Sequence, residues 1–497
     1  MGFTTLDYSI VAIYLAGIAL FGIILRGKQQ TASDYFLGRE VIPWWVVCLS
    51  IVAAETSTLT FISIPGLAYM SNMAFLQVAF GYLLGRVVVS LIFLPAYFRG
   101  ELSTAYAFLE RRFGAKTRSF ASITFLFTRM AADGVRLFST AIPLKFILDV
   151  DYPVAILILA LVALAYTYVG GVRGVIWVDA IQMVVYLGGA LVAVYFLASG
   201  FPGGWSAITS KAMDAGKFAF ITPGFGRDFW HMPYTLLGGL IGGAFLSMAS
   251  HGVDQLIIQR VLATKSLAAS RRALVGSGVL VIIQFALFLF VGGLLWAHYN
   301  GASTAAMGLS RADEIFPRYI IDGLPPGFSG FIVAGLLAAA LSTLAGSISS
   351  MASSTTLDLI KPYLSKALRP EKEIFLSRVV TIGFAAALVG SAMFFMNTTQ
   401  TVVELALSIS SFTYGGLLGT FLLGALFRRP REEDALAGFA AGIFIMISVI
   451  SLKLVAWTWY TLVGVLATVA IGLLLSSLSR ASGEAGPGLS RGSAAPK

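Results

Sequence analysis

Ala53-Ala54-Glu55-Thr56-Ser57-Thr58-Leu59-Thr60, closed by Pro65-Gly66, is a polar run inside an otherwise apolar segment covering 43–70. Polar and ionisable side chains inside a membrane span are costly unless they face a cavity, a partner or a ligand. A helix interrupted at mid-depth also frees backbone carbonyls, which suit a hard cation. A second hydroxyl-bearing stretch, Ala339-Ala340-Leu341-Ser342-Thr343, lies in another apolar segment far down the chain. Together the two stretches read as an ion site beside a solute site.

The composition sets the class. Of 497 residues, 58% are hydrophobic and 12% charged, and the mean hydropathy is +0.86. A soluble protein carries roughly a quarter charged residues. Apolar runs of about 20 residues recur along the whole length, which predicts an all-α polytopic membrane protein. The single cysteine, Cys48, excludes an intramolecular disulfide and a cysteine-rich cluster. His231, His251 and His298 are too scattered to suggest a zinc centre. The net charge of +10 points to no nucleic acid, because the basic residues sit in short loops and act as topology signals.

Thirteen spans are expected, near 6–25, 43–70, 73–98, 119–148, 153–169, 175–199, 230–258, 273–298, 328–360, 376–396, 400–427, 434–453 and 455–478. The first is too long, and too lacking in a cleavage site, for a removable signal peptide. Arg and Lys concentrate at 26–39, 99–118, 173, 260–272, 361–378 and 428–431 and in the tail. The positive-inside rule then gives N-out, C-in. One transmembrane domain, 1–478, is expected, with a disordered cytoplasmic tail over 479–497. Residues 43–199 and 230–427 make two sets of five spans, with 6–25 and 434–478 peripheral. Each set opens with an interrupted span, the second through Gly238-Gly239, Gly242-Gly243, Ser247 and Ser250-His251-Gly252. An odd number of spans inverts the second set, and paired interrupted helices in an inverted repeat point to a midplane site.

Six stretches in order carry a family resemblance. They are Tyr35-Phe36-Leu37-Gly38-Arg39; Ser50 to Ala54 with Pro65-Gly66; Thr104 to Gly114; and Gly170-Gly171 followed by Trp177-Val178-Asp179-Ala180-Ile181-Gln182. Asp254-Gln255-Leu256-Ile257-Ile258-Gln259-Arg260 and the stretch Ser342 to Asp358 complete the set. Over nearly the whole chain these residues resemble the solute:sodium symporter family. The resemblance implies a LeuT-like fold of 5+5 inverted repeats with peripheral helices. It also implies a sodium site made by the carbonyls of Ala53, Thr56 and Ala339 and the hydroxyls of Ser342 and Thr343. Independently, Ser342 and Thr343 follow Ala339 by three and four residues and so share its helix face. Taken alone, such a pair reads as well as back-bonding to the preceding turn or close helix packing. Where some relatives use two further hydroxyls for a second sodium, this chain has Ala345 and Gly346, so one sodium per solute is expected. Asp179 then reads as a gate, a helix-packing acceptor or a transient ion-exit ligand. Ser349, Ser350, Ser353 and Ser354 continue the polar face as an exit path.

Solute-binding candidates beside the breaks are Ser57, Thr58, Thr60, Gln77 (or Tyr82), Arg129, Arg136, Ser247 and His251, with Phe412 and Tyr414 as closing aromatics. Arg129, Asp133 and Arg136 lie at i, i+4 and i+7 on one face and leave about one positive charge unneutralised at mid-depth. Either arginine suits a bidentate clamp on a solute carboxylate; the competing reading is an internal triad, or Arg129 reaching Glu55. Ser250 and His251 stand where sugar-binding relatives carry a Tyr-Trp pair, which favours a carboxylate-bearing solute over a neutral hexose. An unpaired Glu55 would carry a proton, which makes a proton-coupled symporter the alternative.

The expected activity is therefore sodium-coupled import of a small polar solute by alternating access. The partners are the solute, sodium and the bilayer, with no organic cofactor, as a monomer or weak oligomer in the plasma membrane. No phosphate-binding Gly-x-x-x-x-Gly-Lys-Ser/Thr loop exists. The residues offer no clustered nucleophile, acid/base pair or metal set for an intramembrane enzyme. The tail is too short for the signalling domain of a transporter-derived sensor.

Overall fold

A computed structural model describes residues 3–25, 35–36, 41–55, 58–99, 104–148, 150–226, 228–309, 311–361, 370–396 and 402–484. Among these residues every regular element is helical. Among the described residues, nine helices are long and apolar enough to cross a membrane, or ten when a bent pair counts as one span.

In chain order the helices are α1 (Thr5–Ile24), α2 (Trp44–Glu55), α3 (Thr58–Met70), α4 (Leu76–Arg99), α5 (Ala107–Arg112) and α6 (Ala115–Leu148). Next come α7 (Tyr152–Ser199), α8 (Gly204–Asp214), a π-turn at Gly238–Gly242 that runs into α9 (Gly243–Gly252), α10 (Gln255–Leu262) and α11 (Leu267–His298). After α12 (Ile315–Asp322), α13 (Phe328–Ser354) continues as a π-segment at Thr355–Ile360. The chain closes with α14 (Pro370–Phe395), α15 (Val402–Leu426), α16 (Glu432–Ser451) and α17 (Tyr460–Glu484).

The bent pair is the opening motif: Trp44–Glu55 and Thr60–Met70 meet at 62°. The spans expected at 153–169 and 175–199 both fall within α7, as the apolar segments Tyr152–Ala165 and Val172–Ser199. The chain turns back between them: Gly174 meets Gly22 at the end of α1, whereas Ile147 just before α7 and Phe196 near its end both come to the start of α1, through Tyr8 and through Phe328 beside Asp7. Helix α17 runs to Glu484; the rest of the expected tail, residues 485–497, lies outside the described ones.

Helix α13 is the axis of the molecule. Within its apolar window 94% of residues are buried, against 22% for α1 and for the window in Lys372–Phe395. It packs on α7, α1, α6, α14, α10 and α2. Its start is tied to α1 by Asp7, whose Oδ1 accepts from Gly327 N at 2.8 Å and Gly330 N at 2.7 Å. The same carboxylate closes the α1 capping box with Thr4.

Glycines set how closely α4 meets α9. A Cβ at Gly81 would come 2.3 Å from the carbonyl oxygen of Gly239, and one at Gly85 would come 2.3 Å from that of Ala244. Small residues let transmembrane backbones approach this closely, and backbone atoms cannot swing aside. Gly81→Ala is therefore expected to destabilise by roughly 1–3 kcal/mol through overpacking. Melting in detergent checks it, with Gly17→Ala, which meets nothing within 4 Å, as the control.

Candidate functional site

The break between α2 and α3 places Glu55 at a helix end inside the protein. Its Oε2 accepts from Nη2 of Arg86, a fully buried residue of α4. His251 Nε2 on α9 lies 3.6 Å from the same oxygen, and the His251 Nδ1 shares a hydrogen bond with Ser250 Oγ at 2.8 Å. Arg86 Nη1 donates to Ser277 Oγ on α11 at 2.8 Å. Glu55 is thus paired, and its partner is neither Arg129 nor Arg136. Desolvating a charge is costly without such a partner.

A cavity of about 900 Å³, solvent at its mouth included, opens against this pair. Its polar lining is Glu55, Thr60, Tyr82, Arg129, Arg136, Ser250, His251, Ser410 and Tyr414, and Phe75, Phe285 and Leu246 are among its apolar walls. Arg129 on α6 is consumed internally: Nη2 and Nε donate to Asp254 Oδ2 at 2.6 and 3.1 Å, and Nη1 reaches Asp133 at 3.4 Å. Tyr414 donates to the same Asp254 oxygen at 2.6 Å, while Asp254 Oδ1 caps α10 through Leu256 N at 2.8 Å. Arg136 Nη1 donates to Asp133 Oδ1 at 2.8 Å, and Ser347 also donates to Asp133.

The expectation of an unneutralised charge on α6 is therefore corrected. Asp254, on the short helix α10, supplies the second carboxylate, so two guanidinium groups face two carboxylates. Arg136 still keeps binding capacity. Its side chain is 20% exposed, and among the described residues its Nε has no partner. It also lines a second, smaller cavity of about 310 Å³ with Thr58, Thr140, Ala340 and Thr343. One guanidinium thus forms part of the wall of both spaces.

On the ion side, Ala53 is buried in the last turn of α2, and Ser342 and Thr343 are buried on α13 with Ala339 in the same helix. Thr56 and Ser57 lie outside the described residues. Ser342 Oγ donates to Asp179 Oδ1 on α7 at 2.7 Å. Asp179 Oδ2 accepts from Ser50 Oγ at 2.6 Å and from Arg260 Nη2 and Nε at 2.9 and 3.2 Å. The serines beyond are tied into the packing: Ser349 to Gln259, Ser353 to Gln255, and Ser354 to Ser122 and Asp358.

Four other candidates lie away from the large cavity's lining. Gln77 holds the chain together, donating to the carbonyls of Ala74 and Tyr234, both at 3.1 Å, and accepting from Thr222 N at 3.2 Å. Ser247 is buried where α9 meets Gly85. Phe412 packs with Met446, Val449 and Tyr460 of the last two helices. Thr58 pairs with Thr140 at 2.7 Å, beside the smaller cavity. Among residues that the sequence reading left out of the site, Arg86 carried a usable signal. It is a lone cation within Leu83-Leu84-Gly85-Arg86-Val87-Val88-Val89, mid-span in an apolar helix, where an ionisable residue implies a nearby partner. The pairing of Asp254 with Arg129 crosses 125 positions of sequence and had no local signal.

A bent helix, an open cavity with polar groups in its wall and an adjoining hydroxyl-bearing helix describe a secondary transporter. The model of the sodium:solute symporter family matches residues 35–442, and the chain belongs to that family. It is 26% identical over 484 residues to the sodium/sialic acid symporter of Proteus mirabilis, covering 96% of each chain. It is 28% identical over 508 residues to the sodium/glucose cotransporter of Vibrio parahaemolyticus, covering 96% of this chain and 92% of that one. A solved substrate-bound, outward-open state of a Na+-coupled sialic acid symporter superposes with a TM-score of 0.87 at 26% identity, covering 96% and 98%. The protein is a multi-pass membrane transporter that couples solute movement to sodium, and it is not an enzyme.

Proposed function

We propose that the chain imports a small carboxylate-bearing solute into the cell, one sodium ion accompanying each solute molecule. The observation that carries the solute class is Arg136, a planar donor group whose side chain is 20% exposed and which lines the cavity. Planar guanidinium groups recognise carboxylates in two-point fashion. Thr60, His251 and Tyr414 line the same space, and the sialic acid relatives act on a solute that is itself an acid. The proposed sodium ligands are the carbonyls of Ala53, Thr56 and Ala339 and the hydroxyls of Ser342 and Thr343. Proton coupling through Glu55 is disfavoured by its pairing with Arg86.

The proposed setting is a thirteen-span, N-out, C-in LeuT-like 5+5 repeat in the plasma membrane, with repeats at 43–199 and 230–427. Uptake into proteoliposomes under an inward sodium gradient tests the solute class. Radiolabelled sialic acid and short monocarboxylates are expected to be concentrated, and glucose is not; glucose uptake without acid uptake contradicts the proposal.

In this topology the cytoplasmic end is latched by Arg118. Its Nη2 and Nε donate to Asp358 Oδ1 at 2.7 and 3.0 Å, and Nη2 also reaches Leu357 O at 2.6 Å. Thr104 donates to the same Asp358 oxygen at 2.5 Å. Asp358→Asn weakens that latch. A cysteine at Ser353 in a Cys48→Ala background is then expected to react several-fold faster with a membrane-permeant maleimide, because breaking a charge-assisted contact raises the open population. Equal labelling rates contradict the latch.

A further inference from the structure

Two loops far apart in the chain, α5–α6 and α15–α16, meet at one corner of the bundle. Glu432 Oε1 accepts from Lys116 N at 2.9 Å and from Thr117 N at 3.2 Å, across 316 and 315 positions of sequence. The start of α6 therefore already has its anion. Gly114, at φ 142° and without a side chain, makes room for it: a Cβ there would come 2.4 Å from that same oxygen. Arg112 Nη2 donates to Phe427 O at 2.6 Å, and its guanidinium lies 4.6 Å from the centre of the Phe113 ring. Along the bundle from this junction, Phe120 of α6 meets Phe439 of α16 edge-on, with ring centres 4.9 Å apart.

The carboxylates at this corner are mostly turned inward. Glu110 and Asp358 go to Arg118. Asp434 is buried and accepts from Arg431 N at 2.9 Å, and Glu432 caps α6. Arg111, Lys116, Arg428, Arg429 and Arg431 are exposed, and among the described residues none of them forms an ion pair. Glu433 is the one exposed carboxylate among the described residues of the two loops. Apolar surface continues directly from these cations. Lys116, Ile123 and Phe127 lie at i, i+7 and i+11 and share one face of α6, with Ile123 43% and Phe127 75% exposed. Leu426, two residues before Arg428, is 58% exposed. Such side chains on a spanning helix meet acyl chains, and Lys116 stands only ~10 Å along the axis from Ile123. The cations are thus at headgroup depth.

We propose that this corner binds an anionic phospholipid, its phosphate shared by the cations of the two loops and its acyl chains lying against Ile123, Phe127 and Leu426. Basic clusters at the end of a span suit such headgroups, and the apolar face beside these cations selects a lipid over a free anion. A phosphate shared between the loops braces the start of α6, the helix that carries Arg129 and Arg136. In the proposed N-out, C-in topology the lipid comes from the cytoplasmic leaflet.

The test is the melting temperature of the purified full chain in a neutral detergent, titrated with phosphatidylglycerol or with phosphatidylcholine of the same acyl chains. A ligand held only by the folded state raises melting by mass action, and wild type is expected to respond to phosphatidylglycerol alone. Lys116→Gln/Arg428→Gln/Arg429→Gln alters only exposed side chains, so it is expected to melt like wild type without lipid. Its affinity for phosphatidylglycerol is expected to fall roughly 100-fold, about five-fold for each cation removed. Arg311→Gln/Arg318→Gln/Lys453→Gln removes the same charge from other loops and is expected to keep the wild-type response. Native mass spectrometry of co-purified lipid gives a second readout that does not depend on melting: phosphatidylglycerol is retained by wild type and the control variant and lost from the loop variant. Equal stabilisation by the two lipids overturns the proposal, as does a phosphatidylglycerol response that survives in the loop variant. Loss of the response in both triple variants assigns it to net charge, and an equal rise with glycerol 3-phosphate assigns it to a free anion; either result overturns the lipid site.

Discussion

Arg136→Gln is expected to lower sodium-driven uptake of an anionic solute by roughly 30-fold or more, while leaving the protein folded and its sodium response intact. A charged hydrogen-bonded partner lost from a desolvated site costs about 2–5 kcal/mol, and each 1.4 kcal/mol is about tenfold. The loss falls on solute because, among the described residues, the side chain of Arg136 forms a single ion pair inside the protein, with Asp133. Asp133 is left with Arg129 and Ser347. Arg129→Gln behaves differently. It strips the cation from Asp254, which also holds Tyr414 and caps α10, so stability falls together with transport. Measured uptake kinetics and melting temperatures for both variants separate recognition from scaffolding. Normal uptake by Arg136→Gln removes the carboxylate clamp.

The second large effect concerns the pair at the helix break. Arg86→Gln leaves Glu55 beside the cavity with only His251 nearby, so that it either stays charged without a full partner or takes up a proton, and removing one member of a buried pair costs about 3–5 kcal/mol. The variant is expected to melt well below wild type. Glu55→Gln/Arg86→Gln is expected to recover much of the loss, because two neutral amides replace two charges and the uncompensated carboxylate is gone. A double-mutant cycle on melting free energy checks this coupling. The same pair bears on the coupling ion: a proton carrier at position 55 predicts that Glu55→Gln abolishes accumulation, whereas a structural ion pair predicts accumulation in proportion to the folded protein recovered.

What could be read from the chain, and what could not, follows from the range of the interactions. The bend between α2 and α3 was visible because polar residues and Pro65-Gly66 are local signals in an apolar background. The set Arg129, Asp133 and Arg136 was visible because helical spacing alone puts them on one face. Their charge balance was not, since Asp254 comes from a short helix whose packing no local pattern encodes. Asp179 and Arg260 were each recognised as part of a motif, but their pairing was not, and Arg260 was otherwise read as a topology signal in a loop. In the structure that arginine is a buried member of the ion-side network. Gln77 and Phe412 illustrate the reverse error: polar and aromatic residues at plausible depth that hold loops and peripheral helices instead of lining the cavity.

Sodium-dependent stabilisation of the solute-free protein is the most direct test of the proposed ion site. An ion that binds only the folded state raises its melting point by mass action, so no solute need be known. Wild type and Ser342→Ala would be melted in sodium and in potassium at equal ionic strength. A melting point higher in sodium for wild type, with the difference lost in Ser342→Ala, is the predicted result. Equal melting points in the two salts for wild type, or a sodium-specific rise that survives in Ser342→Ala, would contradict a sodium site at Ala53, Thr56, Ala339, Ser342 and Thr343.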